Sequence, residues 1–154
     1  MNPDHELTFA EIDYPGAPEP RAGKVRLLLA DDNPSMRRQV CALLAEDFDI
    51  VAAVADGESV LQEYHELEPE ALILDISMGE MSGLEVARHL RERGNVAPIV
   101  FLTVHEETDF LKAALSSGGS AYVVKSHLAR DLIPAIKAAL AGELFISPHL
   151  LHLL

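Results

Sequence analysis

The amino-acid sequence predicts an α/β fold: a doubly wound, five-stranded parallel sheet of the flavodoxin-like (βα)5 type, with strand order 2-1-3-4-5. From residue 24 onwards, five short apolar runs alternate with five amphipathic helical patterns. The runs are apolar at consecutive positions, which is typical of parallel strands that helices cover on both faces. Because crossovers between parallel strands are right-handed, few topologies remain, and the doubly wound order is the natural candidate.

The elements follow one another from the first apolar run, residues 25–30. Pro34 then occupies the first turn of a helix whose inward face carries Met36, Val40, Leu43 and Leu44. The sequence predicts the remaining strands at 49–55, 71–75, 98–103 and 121–125. It predicts the remaining helices at 57–67, 83–93, 106–116 and 128–141, the last three followed by glycine. In the last helix we expect the inward face to carry Leu132, Ile133, Ile136 and Leu140.

The composition narrows the class of function. The 154 residues carry a net charge of −13, which argues against direct binding of DNA or RNA, because phosphate backbones need a basic surface. The single cysteine, Cys41, excludes an internal disulfide and a cysteine-based zinc site. No apolar run approaches the roughly 18 residues of a membrane span, and residues 1–9 lack the apolar core of a secretion signal. We therefore expect a cytoplasmic protein that does not bind membranes.

The chain divides into three predicted regions. Residues 1–23 are acidic and rich in proline, which predicts a flexible arm, with a short docking segment around Phe9, Ile12 and Tyr14 as the alternative. Residues 24–142 form the predicted folded domain. Residues 143–154 are a largely apolar tail, in which Ser147 and Pro148 favour a helix start. Since a free helix would expose its leucines, we expect the tail to pack on the domain or to pair with a second copy.

Polar residues end four of the five predicted strands. Asp31 and Asp32 follow the first strand, Asp75 ends the third, Thr103 the fourth and Lys125 the fifth. In open α/β sheets, ligands bind outside the carboxyl ends of the strands, so we expect these side chains to converge. Clustered carboxylates repel one another unless a cation intervenes, and an all-oxygen set suits Mg²⁺. A carboxylate beside a metal, a lysine and a hydroxyl is equipped for phosphoryl transfer, with the carboxylate as nucleophile.

These residues and their surroundings resemble the receiver domain of bacterial two-component response regulators. The matching segments are 27–34 with Arg37, 72–78, 82–85, 99–103 and 118–125. The tail resembles the linker of LuxR/NarL-type regulators, which leads there into a helix-turn-helix domain, and no such domain follows in this sequence. The resemblance implies a domain that takes a phosphoryl group from a histidine kinase or a phosphotransfer protein, rather than an enzyme that turns over an external substrate.

The resemblance also implies a role for each site residue. Asp75 matches the phosphoacceptor, and Asp31 and Asp32 match the acidic pair that holds Mg²⁺, with Asp32 as the direct ligand. The metal ligands implied are Asp31, Asp32, Asp75 and the backbone carbonyl of Ser77. The residues implied in phosphoryl binding and switching are Thr103, Lys125 and Tyr122, the last of which turns inward as the Thr103 loop closes.

Three positions depart from the family or add to it. Gly79 stands where the family usually has proline, which predicts a looser loop. Val104 stands where alanine or serine is usual, and its bulk predicts slower attack by water and a longer-lived phosphoryl group. His105, two residues after Thr103, is a second candidate modulator at the mouth of the site.

Other functions and assemblies remain open at this point. A phosphorylation-independent interaction module on the same fold is the main alternative. A phosphatase of the haloacid dehalogenase type also uses an aspartate nucleophile, but it needs a second aspartate where this chain has Ser77. A homodimer could form through the fifth helix and the tail, or through the face made by helix 4, strand 5 and helix 5.

Overall fold

The structure is a computed structural model that describes residues 23–153, so the predicted arm up to residue 22 and Leu154 lie outside the described residues. The strands are β1 (Val25–Ala30), β2 (Phe48–Val54), β3 (Ala71–Asp75), β4 (Ile99–Thr103), β5 (Ala121–Val124) and β6 (Phe145–Ile146). The helices are α1 (Pro34–Leu44), α2 (Gly57–Leu67), α3 (Gly83–Glu92), α4 (Thr108–Ser116) and α5 (Leu128–Leu140). Lys125–His127 and Pro148–Leu153 form short 3₁₀ helices.

The strands form one parallel sheet in the order β2-β1-β3-β4-β5-β6. The predicted class and the predicted order of the first five strands are confirmed, but the predicted number of five strands is wrong. The sixth strand has only two residues, Phe145 and Ile146, which pair with the start of β5. So short an edge strand has no periodicity for a sequence pattern to reveal, because its extended backbone depends on the neighbouring strand.

Alternate residues of each strand pack on opposite faces of the sheet. In β1, Leu27 and Leu29 join the core beneath α1 and α5, whereas Leu28 and Ala30 join the core beneath α2, α3 and α4. These four residues are completely buried, and each leucine contributes about 1.5–3 kcal/mol of hydrophobic stabilisation. Cys41 of α1 is buried in the first of these cores. Burial on both faces explains why the strands are apolar at every position.

Side-chain caps fix the helices that follow the first three strands. The Asn33 side chain accepts from the Met36 N–H at the start of α1, 3.1 Å away, and Pro34 fills the first turn. Ser82 and Glu85 form a reciprocal capping box at the start of α3. The helix and strand ends lie within two residues of the predicted ones. The largest difference is at α4, which begins at Thr108 because Glu107 keeps an extended backbone.

The C-terminal segment, defined here as residues 145–153, packs on the domain. Leu150 is completely buried in the core beneath α2, α3 and α4, as the predicted packing of the tail requires. The predicted helix is a 3₁₀ helix, and the Ser147 hydroxyl binds the Val124 N–H and the Asp131 carboxylate. These hydrogen bonds and the burial of Leu150 depend on residues far apart in the chain, which a local capping pattern does not reveal.

Leu140 was predicted to face the sheet, and this prediction is wrong. The residue lies at the end of α5, where it is 37% exposed and lines a groove with Val96 and Pro98. The buried face of α5 runs through Leu132, Ile136 and Ala139, and Leu140 lies beside this face rather than on it. Among residues 23–153, no helix has the length and apolar character needed to cross a bilayer.

Candidate functional site

Parallel pairing brings the predicted site residues to one edge of the sheet. Asp75, the last residue of β3, pairs with the residue of β4 that precedes Thr103. Thr103 pairs in turn with the last residue of β5, which Lys125 follows. On the other side of β3, β1 ends one residue before Asp31. The strand register alone therefore brings the acid, hydroxyl and ammonium groups together at the carboxyl edge of the sheet.

The three carboxylates form a compact cluster with the lysine. One oxygen from each of Asp31, Asp32 and Asp75 lies within 4.8 Å of the other two. The Lys125 Nζ lies 2.8 Å from Asp31 Oδ2 and 3.2 Å from Asp75 Oδ1. Asp31 and Asp75 are buried, whereas Asp32 is exposed. The structure thus brings together the four charged residues that the sequence singled out.

The cluster carries more negative charge than the lysine neutralises. Burial and the neighbouring Asp31 carboxylate raise the pKa of Asp75 to about 6, while Lys125 acts in the opposite direction. Burial by itself would lower the pKa of Lys125, but its contacts with Asp31 and Asp75 outweigh burial and raise it. The ammonium is therefore held in its charged form, and Asp75 still lacks full compensation.

This donor set fits a hard divalent cation such as Mg²⁺. Mg²⁺ prefers oxygen ligands, keeps several waters and is usually held by one or two carboxylates. The raised pKa of Asp75 indicates an under-compensated carboxylate, and the exposed Asp32 opens the cluster to solvent. Asp31, Asp32 and Asp75 could therefore hold the ion. For Ser77, the backbone N–H donates to Asp75 Oδ1 at 3.2 Å, and the role of its carbonyl stays a prediction.

Neighbouring groups fix the two buried acids. Arg37, itself buried, donates from Nη1 to the Asp31 carbonyl oxygen at 2.8 Å, and the Asn33 N–H donates to Asp31 Oδ1 at 2.9 Å. Gly83 begins α3 directly against Asp75, where a Cβ atom would overlap the Asp75 carbonyl oxygen. The glycine is required at this close approach of helix to strand.

Thr103 and Tyr122 are linked through the loop after β4, residues 104–107. The His105 N–H donates to Thr103 Oγ1 at 2.9 Å, and the Tyr122 hydroxyl donates to the His105 carbonyl at 3.2 Å. Burial raises the pKa of Tyr122, and a hydrogen bond with the Thr103 side chain acts in the opposite direction. The predicted switch residues are therefore in contact, and Tyr122 is buried in this structure.

Both predicted modulators lie in the loop after β4. Val104 directly follows Thr103 and is 66% exposed. The His105 ring stacks on Phe110, with centroids 3.9 Å apart, and its Nε2 lies 3.3 Å from Ser77 Oγ. His105 therefore connects the loop after β4 to the residue that lies two positions after Asp75.

Gly79 adopts a backbone conformation that the proline usual in the family would not allow. Its φ is +73°, whereas the proline ring fixes φ near −65°. The sequence predicts a looser loop at this position, and the structure adds that the loop takes a path that excludes proline.

Two contacts near the site have no signal in the sequence. Phe110 supports the His105 ring, and Glu106 Oε1 lies 2.8 Å from His149 Nε2 across 43 positions of the chain. Neither pair follows a motif spacing, because the fold alone brings β4, α4 and the C-terminal segment together.

This fold and its acidic edge define a class of signalling protein. The response regulator receiver domain family matches residues 27–137. The match covers well over half of the chain, and the chain belongs to this family. Receiver domains are signalling modules of two-component systems, in which they interact with histidine kinases or phosphotransfer proteins.

Particular relatives agree with this assignment. A LuxR-family two-component response regulator from Aurantimonas sp. SI85-9A1 has 31% sequence identity and a TM-score of 0.80, over 84% of this chain and 94% of that one. The nitrate/nitrite response regulator NarL of Escherichia coli (strain K12) is 33% identical over 79% of this chain and 57% of that protein. The transcriptional regulatory protein DegU of Brevibacillus brevis is 29% identical over 84% of this chain and 56% of that protein. The chain therefore spans a little over half the length of these two curated relatives.

Proposed function

We propose that this receiver domain accepts a phosphoryl group on Asp75 and in response changes the surface it offers to partners. The observation that carries the proposal is the state of the Asp75 carboxylate. Its pKa is raised to about 6, it lies 3.2 Å from the Lys125 ammonium, and it shares a cluster with two more carboxylates. A carboxylate nucleophile that lies beside an ammonium group and beside oxygens able to bind a metal ion is equipped for phosphoryl transfer.

The proposed reaction is a displacement at phosphorus. An Asp75 carboxylate oxygen attacks the phosphorus of a phosphohistidine on the partner. The new P–O bond forms as the P–N bond breaks, and the electron pair of that bond leaves with the imidazole. Since its pKa is about 6, Asp75 is mostly ionised at pH 7 and therefore nucleophilic. The Lys125 ammonium stabilises the charge on the phosphoryl oxygens during the transfer.

The proposed Mg²⁺ ligands are Asp31, Asp32, Asp75 and the backbone carbonyl of Ser77. Asp32 is the more accessible of the acidic pair, because its side chain is exposed, whereas Asp31 is buried and paired with Lys125. A bound Mg²⁺ supplies positive charge that offsets repulsion between the carboxylates and the incoming phosphoryl group. The contribution of the chain is to hold the carboxylate oxygens in place, through the Asn33 N–H at Asp31 Oδ1 and the Ser77 N–H at Asp75 Oδ1.

The proposed switch is the loop after β4. The Thr103 hydroxyl and Lys125 bind the phosphoryl oxygens, and Thr103 turns towards Asp75 to do so. When Thr103 turns, its hydrogen bond with the His105 N–H is lost, and His105, which Tyr122 contacts, carries the change to β5. Val104 at the rim hinders the approach of water, and His105 modulates the same step.

The proposed partner is a histidine kinase or a phosphotransfer protein in the cytoplasm. A homodimer is proposed through α5 and the C-terminal segment, or through the face made by α4, β5 and α5. The first choice is supported by exposed leucines near the end of α5 and beyond it, namely Leu140, Leu144 and Leu151. As in the named relatives, we infer a role in regulating transcription, but not direct nucleic-acid binding by a chain with a net charge of −13.

Intact mass spectrometry after incubation with Mg²⁺ and acetyl phosphate tests the proposal. The wild type should gain one phosphoryl group, Asp75→Asn should gain none, and chelation of the metal should abolish the gain. Asp47→Asn is the matched control, because it removes an exposed aspartate and leaves the site intact.

A phosphoryl gain by Asp75→Asn would refute the assignment of Asp75. A folded wild type that gains no phosphoryl group would instead favour the phosphorylation-independent interaction module.

A further inference from the structure

The first part of the C-terminal segment is anchored to β5 and α5. The Ser147 N–H donates to the Tyr122 carbonyl at 2.9 Å, next to the proposed switch side chain. The Ser147 hydroxyl accepts from the Val124 N–H at 3.1 Å and donates to the buried Asp131 at 2.8 Å. These buried contacts fix where the segment leaves the sheet.

The second part of the segment reaches the loop after β4. His149 Nε2 lies 2.8 Å from Glu106 Oε1, and the His149 ring lies against the His127 ring, with centroids 4.8 Å apart. The side chains of His149 and Glu106 are 44% and 47% exposed. The contact is therefore at the surface and can open without disturbing the core.

Glu106 follows the peptide that holds the Thr103 hydroxyl. The His105 N–H donates to Thr103 Oγ1, and the His105 carbonyl accepts from Tyr122. If the Thr103 hydroxyl turns towards a phosphoryl group on Asp75, it gives up the His105 N–H. The backbone directly before Glu106 then loses one of its two restraints, so the movement acts on the Glu106–His149 contact.

We propose that the Glu106–His149 contact is a latch that holds the C-terminal segment while Asp75 is unphosphorylated and that opens on phosphorylation. This inference rests on the proposed function, because it needs Thr103 to respond to a phosphoryl group. Opening loosens the surface residues His149 and Leu151 while Leu150 stays in the core, so that phosphorylation of Asp75 makes this part of the segment more accessible. Coupling between two sites is reciprocal. The closed latch should therefore weaken binding of a phosphoryl analogue by the same factor by which phosphorylation favours the open latch.

Hydrogen exchange of the peptide covering residues 147–153, measured by mass spectrometry, tests the latch. In the wild type with Mg²⁺, exchange should rise about 2–5-fold when Asp75 is phosphorylated, as expected for loss of one surface side-chain contact. His149→Phe keeps a ring against His127 but removes the contact, and Glu106→Gln removes the charge. Both variants should show the faster exchange before phosphorylation and bind beryllofluoride more tightly by the same factor. His89→Phe is the matched control, because His89 makes a similar exposed contact with Glu92 on α3.

Intact mass on the same samples separates the possible failures. If the wild type gains a phosphoryl group but its exchange does not change, the latch is refuted and the proposed function stands. If the wild type gains none, the proposed function fails and the latch falls with it. The reversed pair, Glu106→Lys with His149→Glu, should restore slow exchange. The latch is refuted if both single variants exchange like the wild type. It is also refuted if the reversed pair is folded but does not restore slow exchange.

Discussion

Replacing Asp75 with asparagine should make the metal-free protein more stable at neutral pH, although it removes the proposed acceptor. The Asp75 carboxylate is buried beside Asp31, and Lys125 compensates it only in part. Asparagine has nearly the same shape and no charge, so it relieves the repulsion without leaving a cavity.

The size of the effect follows from the pKa of Asp75. A carboxyl whose pKa rises from 3.8 to about 6 on folding loses about 3 kcal/mol of folding free energy when it ionises. Solvent and counterions at the open mouth of the site screen part of this energy, so we expect a gain of about 1–2 kcal/mol for Asp75→Asn. The penalty is absent below pH 3.8, where the carboxyl is protonated in both the folded and the unfolded chain. It grows as the pH rises to about 6 and is complete above that value.

Urea unfolding of the wild type and Asp75→Asn, followed by circular dichroism with a chelator present, measures this difference. The advantage of Asp75→Asn should be largest at pH 7.5, should shrink towards pH 4.5, and should shrink at pH 7.5 when Mg²⁺ is added. Asp47→Asn removes an exposed charge and should change stability little. An Asp75→Asn variant that is no more stable than the wild type at pH 7.5, or whose advantage does not depend on pH, would refute the electrostatic reasoning.

Four further substitutions test other parts of the molecule. Val104→Ala should shorten the lifetime of the phosphorylated form several-fold, because it opens the rim to water; equal decay rates, followed by intact mass, would contradict this. Gly83→Ala should cost more than about 2 kcal/mol in urea unfolding, because the new methyl group overlaps backbone, whereas Gly79→Ala meets open space and should cost about 1 kcal/mol for its positive φ alone. Equal costs would contradict the packing argument. Ser147→Ala should cost about 1–3 kcal/mol, because it leaves the Val124 N–H and the Asp131 carboxylate without their buried partner; a cost below 0.5 kcal/mol would show that this anchor is dispensable.

The part of the fold that follows from local patterns could be predicted from the sequence. The apolar runs and helical periods located the first five strands and all five helices of the described residues, because burial on both faces leaves a continuous signature. The two-residue strand β6 and the exposure of Leu140 could not be predicted, since each depends on how distant segments pack together.

For the site, likewise, only part could be predicted from the residues themselves. The sequence placed Asp31, Asp75, Thr103 and Lys125 at strand ends, and parallel strands with short loops are bound to bring such residues to one edge. The roles of these residues came from the resemblance to receiver domains and await the experiments described above.

What the sequence determined by itself was the class of fold, the strand order and the set of charged residues at the carboxyl edge of the sheet. These follow from side-chain polarity at fixed local spacing. Only the tertiary structure decided that burial beside Asp31 raises the pKa of Asp75. It also decided that His105 makes hydrogen bonds to both Thr103 and Tyr122, and that Glu106 contacts His149. These are contacts between residues far apart in the chain, and their distances and burial depend on how the loops pack, which no local pattern encodes.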